Sequence, residues 1–224
     1  MSFRIRDAVP SESNDDAKFT VSAFDSCIPH LSSIGSAAQW GTTPLSTVRP
    51  EFITRHVKAI TDGENYRLTG EGAPIRVLIA EVELPPTDDS PGRLRVGSAT
   101  LRAGYFPQYV LDQPHLREAT SSAAKEEKGF MYLDILVTDF SEATRPYRRG
   151  AGAALLQYAK NWVGKELGMQ VMYVDCWAGN EGKLVSFYEA QGFERVDGFV
   201  VEKPDNEEKW SGMLLRMDLR KEQT

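Results

Sequence analysis

The stretch Arg145-Pro146-Tyr147-Arg148-Arg149-Gly150-Ala151-Gly152-Ala153-Ala154-Leu155-Leu156 decides how the rest of the chain is read. It follows an apolar segment, Tyr132-Leu133-Asp134-Ile135-Leu136-Val137, which predicts a strand within 130–138. It opens a segment, 150–167, in which Leu155, Leu156, Ala159, Trp162, Val163 and Leu167 share one helical face. Two glycines and three alanines at the mouth of that helix leave the first-turn N–H groups uncovered. Such donors have no acceptor inside the helix and carry the positive end of its dipole, so a bare first turn suits an anion. Arg145, Arg148 and Arg149 add formal positive charge just upstream. The combination suits a pyrophosphate. Small residues at a helix start also let the helix pack closely on a sheet, and the glycines alone do not separate the two readings.

The surrounding chain narrows the choice. A phosphate loop of the Gly-Lys-Ser/Thr type would need a lysine that is absent here. A dinucleotide fold competes, because Asp175 ends the next apolar run at a suitable distance from Gly150-x-Gly152. Against it, Leu155 occupies the third glycine position, and a long polar loop from Thr138 to Arg149 replaces the tight turn. Too little chain follows Asp175 to build further parallel units.

Downstream stand Asn180 and the run Phe187-Tyr188-Glu189-Ala190-Gln191-Gly192-Phe193. With Gly150-Ala151-Gly152 and Leu155-Leu156 in register before them, the chain resembles the GCN5-related N-acetyltransferase (GNAT) family over 131–196. That family carries Gln/Arg-x-x-Gly-x-Gly/Ala and then Asn…Tyr-x-x-x-Gly-Phe. Two departures stand out. Tyr147 occupies the Gln/Arg position, and the interval from Asn180 to Tyr188 is one residue longer than the commonest form.

The resemblance implies an α/β fold: a mixed, mostly antiparallel central sheet flanked by helices, as one acetyltransferase domain over 1–224. It implies acetyl-CoA as cosubstrate, its pyrophosphate on the amides of Gly150, Ala151, Gly152 and Ala153, assisted by Arg148 and Arg149. The pantetheine arm would lie where the central strand parts from the next. Backbone at Leu136, Val137 and Thr138 would line that arm, with Asn180 and Tyr188 beside it. The implied reaction is transfer of the acetyl group to the primary amine of a small molecule. A protein or peptide N-acetyltransferase and a non-catalytic acyl-CoA-binding regulatory domain are the alternatives.

Acetyl transfer to an amine needs a held thioester, a neutral amine, a stabilised oxyanion and a proton for the departing thiolate. Tyr188 is the candidate acid, since a phenol both donates and accepts hydrogen bonds; otherwise its ring is a core aromatic. Asp134 is the candidate base. An aspartate in so apolar a strand is costly to bury unless it is paired or functional, so an ion pair is its other reading. Asp175 is a second candidate base, and solvent can also strip the ammonium proton. Trp40 lies in an aperiodic stretch, 34–45, and either packs that loop down or faces the acceptor. Residues 105–129 read as irregular, and their Tyr105, Phe106, Tyr109 and His115 suggest a partial cover for the acceptor site.

The remaining chain fits one domain. Strands are expected at 3–6, 75–84, 94–101, 171–176, 193–201 and 212–219, the second and third joined by a turn over Pro85–Gly92. A first helix carries Val21, Phe24, Ile28 and Leu31, with Pro29 kinking or ending it. A second runs from Pro50 with Phe52, Ile53, Val57 and Ile60 on one face, and ends at Asp62-Gly63. His56 on that face reads as a satisfied core histidine, and a short helix is expected over 181–191. The order is β-α-α-β-β-β-α-β-α-β-β.

Composition agrees. At 224 residues and 41% hydrophobic content the chain can bury a full core. A net charge of −6 argues against a general nucleic-acid binder, which needs a basic face. Cys27 and Cys176 cannot build a disulfide framework, and no CxxC or histidine cluster suggests a metal. The start, Met-Ser-Phe-Arg-Ile-Arg, has no apolar leader core, and no run reaches membrane-spanning length. The expectation is a soluble cytoplasmic protein, monomer or homodimer, with a small amine as its partner.

Overall fold

The computed structural model describes residues 2–85, 92–202 and 209–220. Most of the turn expected over 85–92 lies outside them. Seven strands form one sheet: β1 (Arg4–Asp7), β2 (Ile75–Glu83), β3 (Arg93–Ala103), β4 (Met131–Thr138), β5 (Val171–Trp177), β6 (Glu194–Val201) and β7 (Trp210–Asp218). Their spatial order is β1-β2-β3-β4-β5-β7-β6, and only β4 and β5 run parallel. A parallel pair needs a crossover, supplied here by α6 (Ala151–Asn161). The other helices are α1 (Asp15–Ser33), α2 (Leu45–Val48), α3 (Glu51–Thr69), α4 (Gln108–Leu111), α5 (Arg117–Ala123) and α7 (Lys183–Ala190).

The alternation of each strand divides the apolar residues between two faces. Leu78, Ala80, Met131, Leu133, Met172 and Val174 point to one, under Leu155, Leu156 and Ala159 of α6 and Val185 and Tyr188 of α7. Burying each leucine contributes roughly 1.5–3 kcal/mol, so this face, more than the intrinsic helicity of a glycine-led segment, holds α6 down. On the opposite face Val77 and Ile79 pack with Ala17, Ala59 and Ile60 of α1 and α3. Farther along that face, Tyr132, Tyr173 and Leu214 pack with Phe106, Val110, Leu116 and Ala123. The start of α1 is fixed by Asp16, which is ion-paired to Arg6 at 2.7 Å and Arg95 at 3.2 Å, tying the helix to β1 and β3.

Four expectations are corrected. Helix α1 runs through Pro29 to Ser33: a proline this close to the end removes one N–H bond, and only the last turn lies beyond it. Helix α3 continues past Gly63 to Thr69 and is capped by Gly70 at φ 71°. Gly63 is instead where the helix rides against β2, since a Cβ there would stand 3.3 Å from the Ile75 carbonyl oxygen. Residues 105–129 are not irregular; they hold α4, a 3₁₀ turn at Pro114–Leu116 and α5. The helix expected over 150–167 changes to a π-helical turn at Trp162–Glu166.

Candidate active site

The pairing of β4 with β5 has three rungs, Met131↔Met172, Tyr132↔Tyr173 and Leu133↔Val174. Beyond them β4 stays bonded to β3 as far as Thr138↔Gly97, while β5 stays bonded to β7 as far as Trp177↔Gly212. The sheet therefore opens into a cleft between Asp134–Thr138 and Asp175–Trp177, with one edge of each strand unpaired. Unpaired backbone at such an edge is available to a ligand lying along it.

At the point of divergence β4 is bulged. Leu101 faces Leu133 and Thr100 faces Ile135, so Asp134 is the extra residue. The bulge reverses the alternation: Leu133 packs towards α6, whereas Ile135 and Val137 pack towards α1. Asp134 is ion-paired with Arg102, Nε to Oδ2 at 2.8 Å, and both are partly buried. The Arg102 guanidinium also lies over the Tyr105 ring at 5.6 Å.

Asp175, the first residue beyond the last rung, carries a perturbed carboxyl. The Tyr132 hydroxyl donates to it, and the Tyr109 hydroxyl lies 3.1 and 3.2 Å from its two oxygens. Burial pushes this carboxyl up to about 6; the two tyrosine hydrogen bonds pull it down, and the nearby charge of Asp134 raises it further. Tyr132 is fully buried, whereas Tyr109 is 38% exposed and so marks the solvent side of the cluster.

Tyr188 lies across the sheet from this cluster. It is buried on α7, its ring meeting Phe187 at 5.1 Å and Phe193 at 5.7 Å. Burial raises its phenol above the ordinary value, with further contributions from Cys176 and Asp175.

The start of α6 has the expected bareness. Gly150 precedes the helix at φ 92°, a left-handed conformation that favours glycine. The Ala151 N–H bonds the Arg148 carbonyl and the Ala154 N–H bonds the Gly150 carbonyl, each at 3.0 Å. Gly152 and Ala153 are the first-turn amides that those two bonds leave over. A Cβ on Gly152 would meet only Phe187, Thr138 and Leu136, at 3.8–4.0 Å. The glycine thus faces Leu136 and Thr138 of the splayed part of β4, and a Cβ there would lie in ordinary van der Waals contact with them. Arg148 lies over the Phe140 ring at 4.2 Å, and its buried Nη1 has no hydrogen-bond partner. Arg149 is exposed.

Asn180 is placed differently from Gly152. Its side-chain amide donates to the buried Ser36 Oγ at 2.8 Å, and Lys183 Nζ bonds its Oδ1 at 3.2 Å. Both Asn180 and Glu181 are left-handed, at φ 51° and 57°, a conformation that costs roughly 1–2 kcal/mol per residue. Trp40 is half-buried, 4.8 Å from Phe24, in the cluster that holds Ile135 and Val137 of the splayed strand. The adjacent Gln39 carbonyl accepts from Trp210 Nε1 at 3.1 Å. Residues 36–40 are therefore tied to the turn after β5 and to the start of β7. His56 is buried as expected but not satisfied: its Nε2 has no partner, and burial, then the charges of Arg55 and Arg102, lower it to about 4.

A separate cavity lined by Ile60, Tyr66, Arg76, Trp162 and Glu166 sits at the opposite end of α6 from the glycines. Its Arg76 is held by Asp7 at 2.6 Å and stacked over Trp162, which accounts for its charge structurally. Among the described residues no group of His, Cys, Asp and Glu is placed to hold a metal ion, and no helix is long and apolar enough to cross a membrane.

A seven-stranded, mostly antiparallel sheet that parts between its two central parallel strands, beside a bare helix start, is the fold of the GNAT acetyltransferases. No family model and no curated protein matches the chain in sequence. Among solved structures, NAA60 from Arabidopsis thaliana in complex with acetyl-CoA aligns at a TM-score of 0.57 and 15% identity, over 98% of this chain and 99% of that one. A GNAT superfamily phosphinothricin acetyltransferase from Sinorhizobium meliloti in complex with AcCoA aligns at 0.54 and 16%, over 97% and 89%. An N-acetyltransferase from Staphylococcus aureus Mu50 aligns at 0.54 and 15%, over 98% and 99%. At these identities the likeness is one of fold.

Proposed function

We propose that the protein is an N-acetyltransferase that moves the acetyl group of acetyl-CoA to the primary amine of a small molecule. The observation that carries this reading is the cleft itself. One opening in the sheet has uncovered helix amides at one end, unpaired β4 backbone along it, a buried phenol on one face and two carboxylates on the other. The residues present fit the cosubstrate. The Gly152 and Ala153 N–H groups have no backbone acceptor, and the buried Arg148 Nη1 lacks an acceptor that a phosphate oxygen would provide. Gly152 and Ala153 amides with Arg148, and Arg149 at the rim, would hold the pyrophosphate. The β4 backbone at Leu136, Val137 and Thr138 would hold the arm and the thioester oxygen.

In the reaction the amine nitrogen attacks the thioester carbonyl carbon, and the C–S bond breaks. Tyr188 gives its proton to the departing sulfur and regains one from the acylated nitrogen. Its raised pKa keeps the phenol protonated until that moment. Asp134 and Asp175 are the two carboxylates from which a base for the incoming ammonium is drawn. Asn180 keeps one side-chain N–H and one Oδ1 lone pair beyond its bonds to Ser36 and Lys183 with which to meet the arm. A small acceptor is favoured because residues 36–40 are tied down at Asn180 and Trp210, which narrows the acceptor side beside Trp40. The aligned structures include enzymes named for phosphinothricin and one named for ribosomal-protein alanine, so they do not choose between the two classes of acceptor.

The test is release of thiol from acetyl-CoA in the presence of phenethylamine, putrescine, glucosamine, lysine and a peptide with a free N-terminus. Turnover of at least one small amine is expected, with the peptide slower. Tyr188→Phe should lower kcat by roughly 10²–10⁴-fold while CoA still binds. CoA binding without turnover of any amine would make the chain an acyl-CoA-binding domain, and a faster peptide would make it a peptide acetyltransferase.

A further inference from the structure

We propose that Asp175 seats the acceptor's ammonium group and takes its proton, with Tyr109 and Tyr132 as positioning residues, so that the acceptor enters as a cation. This rests on the acetyl-transfer reading above and names the base and the charge of the substrate within it.

Three observations separate Asp175 from Asp134. The first is charge. Asp134 is neutralised by Arg102 at 2.8 Å, whereas no Lys, Arg or His among the described residues pairs with Asp175. The groups that face it are Tyr132 and Asp134 from β4, Tyr109 from α4, and Tyr188 and Cys176 from the side of α7. Tyr105 and Arg102 stand behind Asp134. The cluster as a whole therefore keeps one uncompensated negative charge, and the ligand that balances it is a monocation.

The second is place. Asp175 immediately follows Val174, the last residue of β5 paired with β4, so it stands where the two strands part and the cleft along which the thioester would lie begins. It continues the strand face of Tyr173, which packs with the α4 side of the sheet, opposite Tyr188. An amine seated there and a phenol on α7 would approach the reacting carbon from opposite sides.

The third is surroundings. Tyr109 stacks on Phe199 at 6.0 Å and meets Trp210 edge-on at 6.4 Å, and Tyr105 meets Tyr132 at 5.8 Å. Aromatic faces beside a carboxylate stabilise an alkylammonium by cation–π attraction. The partly exposed Tyr109 gives the proton a way out, since its hydroxyl touches the carboxylate from the solvent side.

The step balances. The ammonium N–H bond breaks, its proton passes to the carboxylate, and the neutral amine keeps the electron pair that then forms the C–N bond. The proton leaves Asp175 for solvent, and the overall reaction releases one proton for each cationic amine acetylated. A carboxyl raised to about 6 is deprotonated at neutral pH yet basic enough to share a proton with a desolvated ammonium.

The test is the pH dependence of kcat/KM for the fastest amine of the panel, with CoA affinity and thermal melting measured on every variant. The unsubstituted protein should show an acidic limb near 6. Asp175→Asn should lower kcat/KM at pH 7 by roughly 10²–10³-fold, abolish that limb, and recover at pH 10, where solvent deprotonates the amine. Asp134→Asn should keep the limb but move it to lower pH, since the charge of Asp134 raises Asp175. Tyr109→Phe removes a hydrogen bond that favours the charged carboxylate, so the limb should move to higher pH with CoA affinity unchanged. An Asp175→Asn protein that melts normally and keeps both the limb and its rate would overturn the proposal. If Tyr188→Phe is still impaired, the acetyl-transfer reading survives that loss. If the unsubstituted protein acetylates no amine, both fall together.

Discussion

Trp40 shows how far a single residue can be read. Its indole is half-buried against Phe24 and shares a cluster with Ile135 and Val137 on the splayed part of β4, so it both anchors a loop and borders the acceptor side. If it lines the pocket, Trp40→Ala should raise the amine KM roughly tenfold, about 1.4 kcal/mol of lost contact, with CoA affinity nearly unchanged. A fall in melting temperature alone, with the kinetics of the folded fraction unaltered, would leave Trp40 as an anchor only. Some residues of the proposed site can be singled out from sequence more readily than others. Gly150, Gly152 and Tyr188 stand out as candidates because each sits at a fixed offset in a helix-bearing motif. Asp134 was legible as a cost, and Arg102 is the partner that meets it. The company of Asp175 was not: Tyr132 and Tyr109 come from 43 and 66 residues away and meet only through the sheet. The satisfied reading of His56 failed for the same reason, since a helical stripe says which face is buried but not whether a ring nitrogen finds an acceptor there.

Among the elements, α6 carries the sharpest expectation. Gly152→Val places a Cβ in ordinary van der Waals contact with Phe187, Thr138 and Leu136, at 3.8–4.0 Å, and its two methyl groups reach beyond that atom towards the splayed part of β4. Gly152→Ala, whose Cβ those distances accommodate, should keep the melting temperature and serves as the folded control for the valine variant. The valine side chain would stand facing Leu136 and Thr138, so CoA affinity should fall about tenfold or more by calorimetric titration. Equal affinity in the two proteins would remove the helix start from the cofactor site. Helix α6 and strand β4 could be read from sequence because their apolar spacing is regular and their burial one-sided or complete. Helix α3 was cut short at Gly63 because glycine reads locally as a stop, whereas here the backbone of β2 calls for its small size. The segment 105–129 was missed because its helices are too short to show a period; Phe106, Val110 and Leu116 are fixed by packing on β4, β5 and β7. The bulge at Asp134 is a mismatch of register between two strands, and neither strand carries it alone.

For the molecule as a whole, two groups on the acceptor side, the buried His56 and the partly buried Asp175, should shape stability against pH in opposite directions. Burial, then the charges of Arg55 and Arg102, lower His56 to about 4 in the folded state. The unfolded chain keeps a histidine near 6.5, so between these values the unfolded state holds the extra proton and stability rises with pH. Asp175 is the reverse case. Burial raises it to about 6 when folded, against roughly 3.9 unfolded, so from about 4 to 6 the folded state holds the extra proton and stability falls with pH. Each contribution has a slope of about 1.4 kcal/mol per pH unit, and between about pH 4 and 6 the two largely cancel. Urea unfolding of the chain at pH 4, 5 and 6 should reveal the balance once one side is removed. In Asp175→Asn the His56 contribution is no longer opposed, and the unfolding free energy should climb with pH more steeply than in the unsubstituted protein, by up to about 1.4 kcal/mol per unit. In His56→Leu it should decline over the same range relative to the unsubstituted protein. Parallel profiles for Asp175→Asn and the unsubstituted protein would mean that the fold does not raise this carboxyl, and the base assigned to the acceptor site would lose its electrostatic footing.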